Sequence, residues 1–448
     1  METVTIQKLV HGGQGLAELS DGRKVFVWNA LPSEKVVIRI IKAKRSYAEA
    51  IAEEVLEASP ERVEPREENY LATSPWQMMT FEAENRYKAD IVAELFAHER
   101  IQLPVQTNPS QSVILSDSEG SQEILRDAQY DMGADAGGMT VVTAGGEWNY
   151  RNKMEYSFWG DDDGLHLALH QRGSHGKQIV QGSELALPAL DTGANAVLAE
   201  LQKLQPRAGD LKTIIVRVSQ NGDVVAALYT KLDKFTKMSL PSGVKGLRVY
   251  HSNPKSPASV PTKLLYELGD ATLQDELLGK TFAYDVDSFF QVNLPIYEKA
   301  LSRIREQCQA DPVDMYAGTG SIGLSVSREH ATLVELDPAT VAMARVNAEK
   351  SGVTTDVVEA STEKALEYIV ADKPVIFDPP RAGLHAKVVE RCLEIKPPQI
   401  IYLSCNPATQ ARDLALLQES YEITFFEVYN FFPRTPHIET LAVLKPKQ

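Results

Sequence analysis

A chain of 448 residues is too long for one hydrophobic core, and 43% hydrophobic with 24% charged content is ordinary for a folded, water-soluble protein. No apolar run reaches the ~18 residues that span a bilayer, and the opening Met1-Glu-Thr-Val-Thr lacks the basic and apolar regions of a secretion signal, so a cytoplasmic protein without a membrane partner is expected. A formal net charge of −15 on its face weighs against a nucleic-acid partner, and three cysteines without a paired motif weigh against disulfides or a cysteine-held metal.

Residues 1–57 read as a small β-barrel. Val4-Thr-Ile, Gly12 to Leu19, Lys24-Val-Phe-Val-Trp and Lys35-Val-Val-Ile-Arg-Ile-Ile are short alternating runs, and glycines and Asp21-Gly22 mark the turns. Basic residues gather at Lys35, Arg39, Lys42, Lys44 and Arg45, a local cluster suited to phosphate despite the acidic total. With His11-Gly-Gly-Gln-Gly-Leu-Ala, this segment resembles the TRAM domain, an OB-like RNA-binding barrel.

Ser59 to Asn69, rich in Glu and Pro, reads as a linker into a central α+β region spanning 58–285. Tyr87, Ile91, Leu95 and Phe96 recur at helical spacing over 81–101. Residues 108–140 turn acidic and Ser/Gly-rich and are expected to be an exposed, mobile insertion without chemistry. Short strands then return, with a helix near 194–204 and a hairpin joining Ile214–Val218 to Val224–Tyr229 through Asn221-Gly222.

From about Val286 helices and strands alternate. Strands are expected at 313–316, 332–335, 357–359, 375–378 and 400–404, and helices at 294–307, 338–350, 363–370 and 386–395. That rhythm predicts a doubly wound parallel sheet, an α/β domain over 286–448.

Three motifs fall at the carboxyl ends of these strands, where open α/β sheets bind ligands. Asp314-Met-Tyr316-Ala-Gly318-Thr-Gly320 follows a strand and opens a helix, so its backbone can approach a ligand closely; Glu335 ends the next strand, placed for a ribose. Either a dinucleotide or S-adenosylmethionine suits that pair. Asp378-Pro-Pro-Arg381 makes a rigid wall with a fixed carboxylate, a feature of nucleic-acid methyltransferases; Arg381 stands where amino-nitrogen methylators carry an aromatic residue. Cys405 ends the buried run Ile400-Ile-Tyr-Leu-Ser and is stopped by Pro407. A thiolate there can add to carbon 6 of a pyrimidine and make carbon 5 nucleophilic, after which a base must remove the carbon-5 proton. His437 and Glu439 fall on one side of a late strand, with Phe431 and Phe432 before them, and Glu439 fits the base. Cys308 and Cys392, within helical patterns, read as buried and inert.

Together the Asp314–Gly323, Asp378-Pro-Pro-Arg-Ala-Gly, Ser404-Cys-Asn-Pro and His437-Ile-Glu-Thr segments, with Phe289-Phe-Gln291-Val-Asn and Tyr150-Arg-Asn-Lys, resemble the RNA uridine C5-methyltransferase family. The resemblance implies a barrel, a central β-rich domain and a C-terminal class I, Rossmann-like methyltransferase domain. It implies Cys405 as nucleophile and Glu439 as general base, with Gln291, Tyr316, Gly318, Gly320, Glu335 and Asp378 around S-adenosylmethionine. The implied partner is RNA, ribosomal ahead of transfer RNA, with the target uridine flipped from a loop, and the enzyme is expected to be a monomer. Many family members hold an iron–sulfur cluster on four cysteines; Leu71 to Gln77 has none, so the cluster is expected to be missing. Two alternatives share these features: a cytosine-C5 enzyme, disfavoured because Ser404-Cys405 replaces the Pro-Cys common there, and a non-catalytic RNA-binding protein.

Overall fold

A computed structural model describes residues 2–104, 139–173, 176–256 and 258–447. The acidic stretch is therefore outside the described residues, except Met139 and Thr140.

The N-terminal strands β1 (Glu2–Thr5), β2 (Lys8–Leu9), β3 (Gly15–Glu18), β4 (Lys24–Trp28), β5 (Lys35–Ala43) and β6 (Tyr47–Glu57) form one sheet in the order β1-β5-β6-β4-β3-β2. Alternation puts Val25, Val27, Val36, Ile38, Ala48 and Ala50 inside. The longest strand, β6, is Ala- and Glu-rich and has helical propensity; the period-two burial of Ala48, Ala50 and Ala52 decides for strand.

The expected linker at 59–69 is a fastened strap instead. Arg62 forks onto the sealed carboxylate of Glu34 (2.6 and 2.8 Å), and Glu61 accepts from Arg86 and Tyr87. Glu67 gathers Gln77 Nε2 (2.8 Å), Ser74 Oγ (3.2 Å) and the Glu184 amide (3.2 Å). Buried acceptors must find donors, and these side chains supply them across segments far apart in sequence.

Short α1 (Tyr70–Thr73) leads to α2 (Phe81–His98), capped by the Thr80 side chain. Ile91, Val92 and Phe96 of α2 pack in one cluster with residues of the C-terminal sheet, and the Phe96 ring meets Phe426 edge-on at 4.8 Å. Strand β7 (Val141–Val142) joins that sheet's edge.

The central sheet runs β10-β9-β8-β11-β12-β13-β14. Its strands are β8 (Lys153–Asp161), β9 (Gly164–His170), β10 (Lys177–Ile179), β11 (Leu211–Val218), β12 (Val224–Thr230), β13 (Gly246–His251) and β14 (Lys263–Gly269). Helix α3 (Pro188–Leu204), longer than expected, covers one face with Leu190, Ala194, Val197 and Leu201. The other face packs Val225, Ala227 and Tyr229 with the hairpin of β15 (Thr272–Leu277) and β16 (Lys280–Asp285) and with α4 (Leu294–Gln307).

The C-terminal unit contains β17 (Val313–Asp314), α5 (Ser321–Val326), β18 (His330–Glu335), α6 (Pro338–Ser351), β19 (Thr354–Glu359), β20 (Val375–Phe377), α7 (Ala386–Ile395), β21 (Ile400–Ser404), α8 (Pro407–Leu417), β22 (Tyr421–Tyr429) and β23 (Glu439–Pro446). Sheet order is β19-β18-β17-β20-β21-β23-β22-β7, parallel from β19 to β21, with β23 antiparallel to both neighbours. This is the doubly wound sheet the sequence pattern implies, and its order reverses between β17 and β20, the switch point where such sheets open a crevice. The helix expected at 363–370 is replaced by two 3-10 turns, Thr362–Lys364 and Leu366–Tyr368. Thr362 is anchored by its hydroxyl to the Met315 carbonyl (2.6 Å), which ties the segment to the glycine loop rather than to an α-helical ladder.

Candidate active site

A cleft of ≈ 1660 Å³ opens at the switch point, above the roughly 300–1,000 Å³ usual for small-molecule sites and roomy enough for two reactants. Gln291, Tyr316, Gly318, Glu335, Asp378, Cys405 and Glu439 all line it. Gly320 lies just behind, capping α5 with a left-handed φ of 86° that a side chain would strain.

One wall is the glycine loop. Asp314, buried at the end of β17, accepts from the Gly323 amide (2.9 Å) and fixes the turn. Glu335 accepts from Gly318 N (2.9 Å), Leu336 N (2.8 Å) and Asp337 N (2.9 Å), which orients its carboxylate at the rim. Among the described residues Thr319 Oγ1 and Ser361 Oγ are buried without a hydrogen-bond partner, and both residues line the cleft. Orphaned polar atoms beside an exposed Leu336 fit a ligand with a polar ribose and an apolar base.

The opposite wall carries the thiol. Strands β21 and β23 pair antiparallel through Ser404 and Thr440; one register step further sets Cys405 against Glu439. Glu439 is 1% exposed. Burial, then the charge of Asp378, raises its carboxyl well above the ordinary range, with Arg381 opposing. Burial and Asp314 likewise raise Asp378, and burial lifts Asp314 to about 7. The Cys405 thiol is pushed up to about 12 by burial, Glu439 and Asp378, while Arg381 pulls it down. Three crowded carboxyls favour a cationic ligand, which fits a sulfonium.

Arg381 is the site residue whose role the motif reading left open. It donates to His437 Nδ1 (3.1 Å), which makes that nitrogen an acceptor and His437 neutral. Burial followed by nearby cations, Arg381 first, depresses the imidazole to about 3. The Arg381 carbonyl accepts from Asn406 Nδ2 (2.8 Å), so the Pro-Pro loop and the loop after Cys405 are tied together. Phe432 lines the cleft with its ring 5.6 Å from His437, whereas Phe431 is buried in the core.

Distant segments hold the loop that delivers His437 and Glu439. Glu84 and Lys88 form a sealed pair (2.9 Å) that also binds Asn430, and Glu84 takes the Arg434 amide. Trp76 Nε1 donates to Gly13 O (3.1 Å), and Gly13 presses on Pro436 so closely that an added Cβ would sit 2.3 Å from it. The central sheet adds Arg248, bound to Asp285 and Asp287 (2.8 Å each), at the cleft's far end. No spacing signal announces these contributions, because each joins segments remote in sequence. Cys308 and Cys392 are buried and do not line the cleft.

A doubly wound domain with a glycine loop, a strand-end acid at Glu335 and a second strand-end acid before Pro-Pro defines a class I methyltransferase. The model of the tRNA (Uracil-5-)-methyltransferase family matches residues 259–447, and the TRAM domain model matches residues 2–52. An uncharacterized RNA methyltransferase of Lactiplantibacillus plantarum is 30% identical, over 99% of this chain and 97% of that protein. Another from Thermotoga maritima is 27% identical over 99% of both. The crystal structure of Pyrococcus abyssi tRNA (uracil-54, C5)-methyltransferase with S-adenosyl-L-homocysteine has the same fold, with a TM-score of 0.73 at 19% identity over 98% of this chain and 99% of that one. The chain belongs to the RNA uracil-C5 methyltransferase family, enzymes dependent on S-adenosylmethionine, and it carries the family's TRAM domain.

Proposed function

We propose that this enzyme methylates carbon 5 of a uridine in structured RNA, ribosomal RNA ahead of transfer RNA, through a covalent Cys405 adduct. The observation that carries this reading is the β21–β23 register, which sets the thiol opposite a sealed carboxylate in one cleft. The Gly318–Gly320 backbone, Glu335, Tyr316, Gln291 and Asp378 would hold S-adenosylmethionine, which supplies an electrophilic methyl group when bound. Once the Cys405 thiol has lost its proton to solvent, the thiolate sulfur bonds to carbon 6 of the uracil, and the double-bond electrons move toward the O4 carbonyl, leaving carbon 5 nucleophilic. Glu439 accepts the carbon-5 proton after methylation; those electrons restore the 5,6 double bond and expel the thiolate. Arg381, with its charge toward both groups, favours the ionised thiol and carboxylate.

The test is methyl transfer from labelled S-adenosylmethionine to unmodified ribosomal and transfer RNA separately, with nucleoside mass analysis. 5-Methyluridine confined to ribosomal RNA is expected. 5-Methyluridine in transfer RNA alone would overturn the substrate choice, 5-methylcytidine the base, and no product in either the enzymatic reading.

A further inference from the structure

The barrel's basic strand, the obvious place for phosphate, is already neutralised along most of its length. Lys35 pairs with Glu57 (3.4 Å), Arg39 with Glu53, and Lys42 with Glu49 (2.9 Å), so β5 and β6 together present alternating charge. A different set of cations lacks carboxylate partners among the described residues. Arg172, beyond β9 in the turn toward β10, lies over the Trp28 ring of the barrel, 4.6 Å from its centroid. Its Nε is buried without a hydrogen-bond partner, as is Nε of Arg151. Gly173 makes this approach feasible: at φ +75° it runs against Ile41, 2.9 Å from where a Cβ would sit.

Arg172 and Arg151 lie within electrostatic reach of His437, which lines the cleft. Arg381, Arg151 and Arg172 act on His437, as does Lys88, which is already paired with Glu84, and Arg381 also acts on His11 at the barrel's glycine turn. Guanidinium groups of the central region and the catalytic domain thus gather near His437, with Arg172 stacked on the barrel's Trp28. A half-buried guanidinium without a carboxylate calls for an anion, and stacking on an indole holds its fork ready for phosphate oxygens.

We propose that the RNA strand reaches the cleft through the seam between barrel and central sheet, with Arg172, braced on Trp28, binding a backbone phosphate. The proposal rests on the RNA-methylation reading and assigns the path by which that substrate arrives. Arginine suits this place better than lysine, because only a planar cation can both stack and fork.

The test uses the full chain, a fluorescently labelled oligouridylate and anisotropy over a potassium chloride series. R172Q is expected to flatten the dependence of log K on log salt by about 0.7, one phosphate contact on a single strand, whereas K42Q leaves the slope unchanged. R172K keeps the slope while RNA KM rises and kcat holds, and S-adenosylhomocysteine binding by calorimetry stays at the wild-type value in all three. A wild-type slope in R172Q, or a flattened slope in K42Q, overturns the seam. Wild-type enzyme that methylates uridine while R172Q keeps its slope defeats the path alone. Wild-type enzyme that binds RNA without methylating it, with R172Q still flattened, defeats the reaction and leaves the path standing.

Discussion

In the free enzyme Cys405 should be a slow nucleophile, although it is the residue assigned to attack. Burial and the charges of Glu439 and Asp378 push its thiol up to about 12. At about pH 7 a free cysteine of pKa ~8.5 is roughly 3% thiolate, against about one part in 10⁵ here, a deficit near 3,000-fold. A more basic thiolate is intrinsically more reactive by roughly 40-fold for that difference, so net suppression is about 10². The assay is iodoacetamide alkylation of the native protein across pH, read by mass spectrometry on the peptide that contains Cys405. Cys308 and Cys392 are buried and raised to about 11 and about 12, and serve as internal references. The log rate at Cys405 should climb without levelling up to about pH 10. Arg381→Gln, which removes the cation that lowers the thiol, should slow alkylation further. A plateau near pH 8–9, or unchanged alkylation in Arg381→Gln, would refute the electrostatic argument.

Glu439→Gln should accumulate a denaturant-resistant protein–RNA species, since the thiol leaves only after proton removal; rapid turnover without a gel-shifted band would remove Glu439 from that role. Because its carboxyl is raised by burial and by Asp378, the basic form is lost as pH falls through a value above the usual carboxylate range. The acid limb of kcat/KM should therefore lie above about pH 4.3, and a limb at or below that value would contradict the burial argument. In the barrel, Glu34→Ala leaves the Arg62 guanidinium without its sealed partner, and a loss of about 3–5 kcal/mol is expected by denaturant titration. A loss under about 1 kcal/mol would mean that Arg62 simply turns to solvent.

Local physics made the C-terminal sheet legible. Buried parallel strands are short apolar runs, and each ended in a residue that cannot continue the run: Asp314, Glu335, Asp378, Cys405. A strand's carboxyl end is a property of the chain itself, so these residues could be assigned to one rim before any packing was known. The barrel's outline was readable for the same reason, through alternation and glycine turns. Where propensity and periodicity disagreed, as in β6, or where an apolar pattern was brief, as at 363–370, local sequence was a poor guide. Those segments take their form from neighbours: Ala48 and Ala50 from the barrel interior, Thr362 from the Met315 carbonyl. The strap at 59–69 looks like a linker because its anchors, Glu34, Tyr87 and Glu184, lie elsewhere in the chain.

The sequence by itself determined the family, the glycine loop and the identity of a strand-end thiol, because each depends on residue type and order along one segment. Only the tertiary structure decided that Cys405 faces Glu439 and that the charge of Arg381 reaches both. It also decided that β5's lysines are spent on β6's glutamates while Arg172, among the described residues, is left with an indole and no carboxylate. Charge pairing, burial and the shifts they impose depend on distance in space, and a linear chain carries no record of distance until it folds.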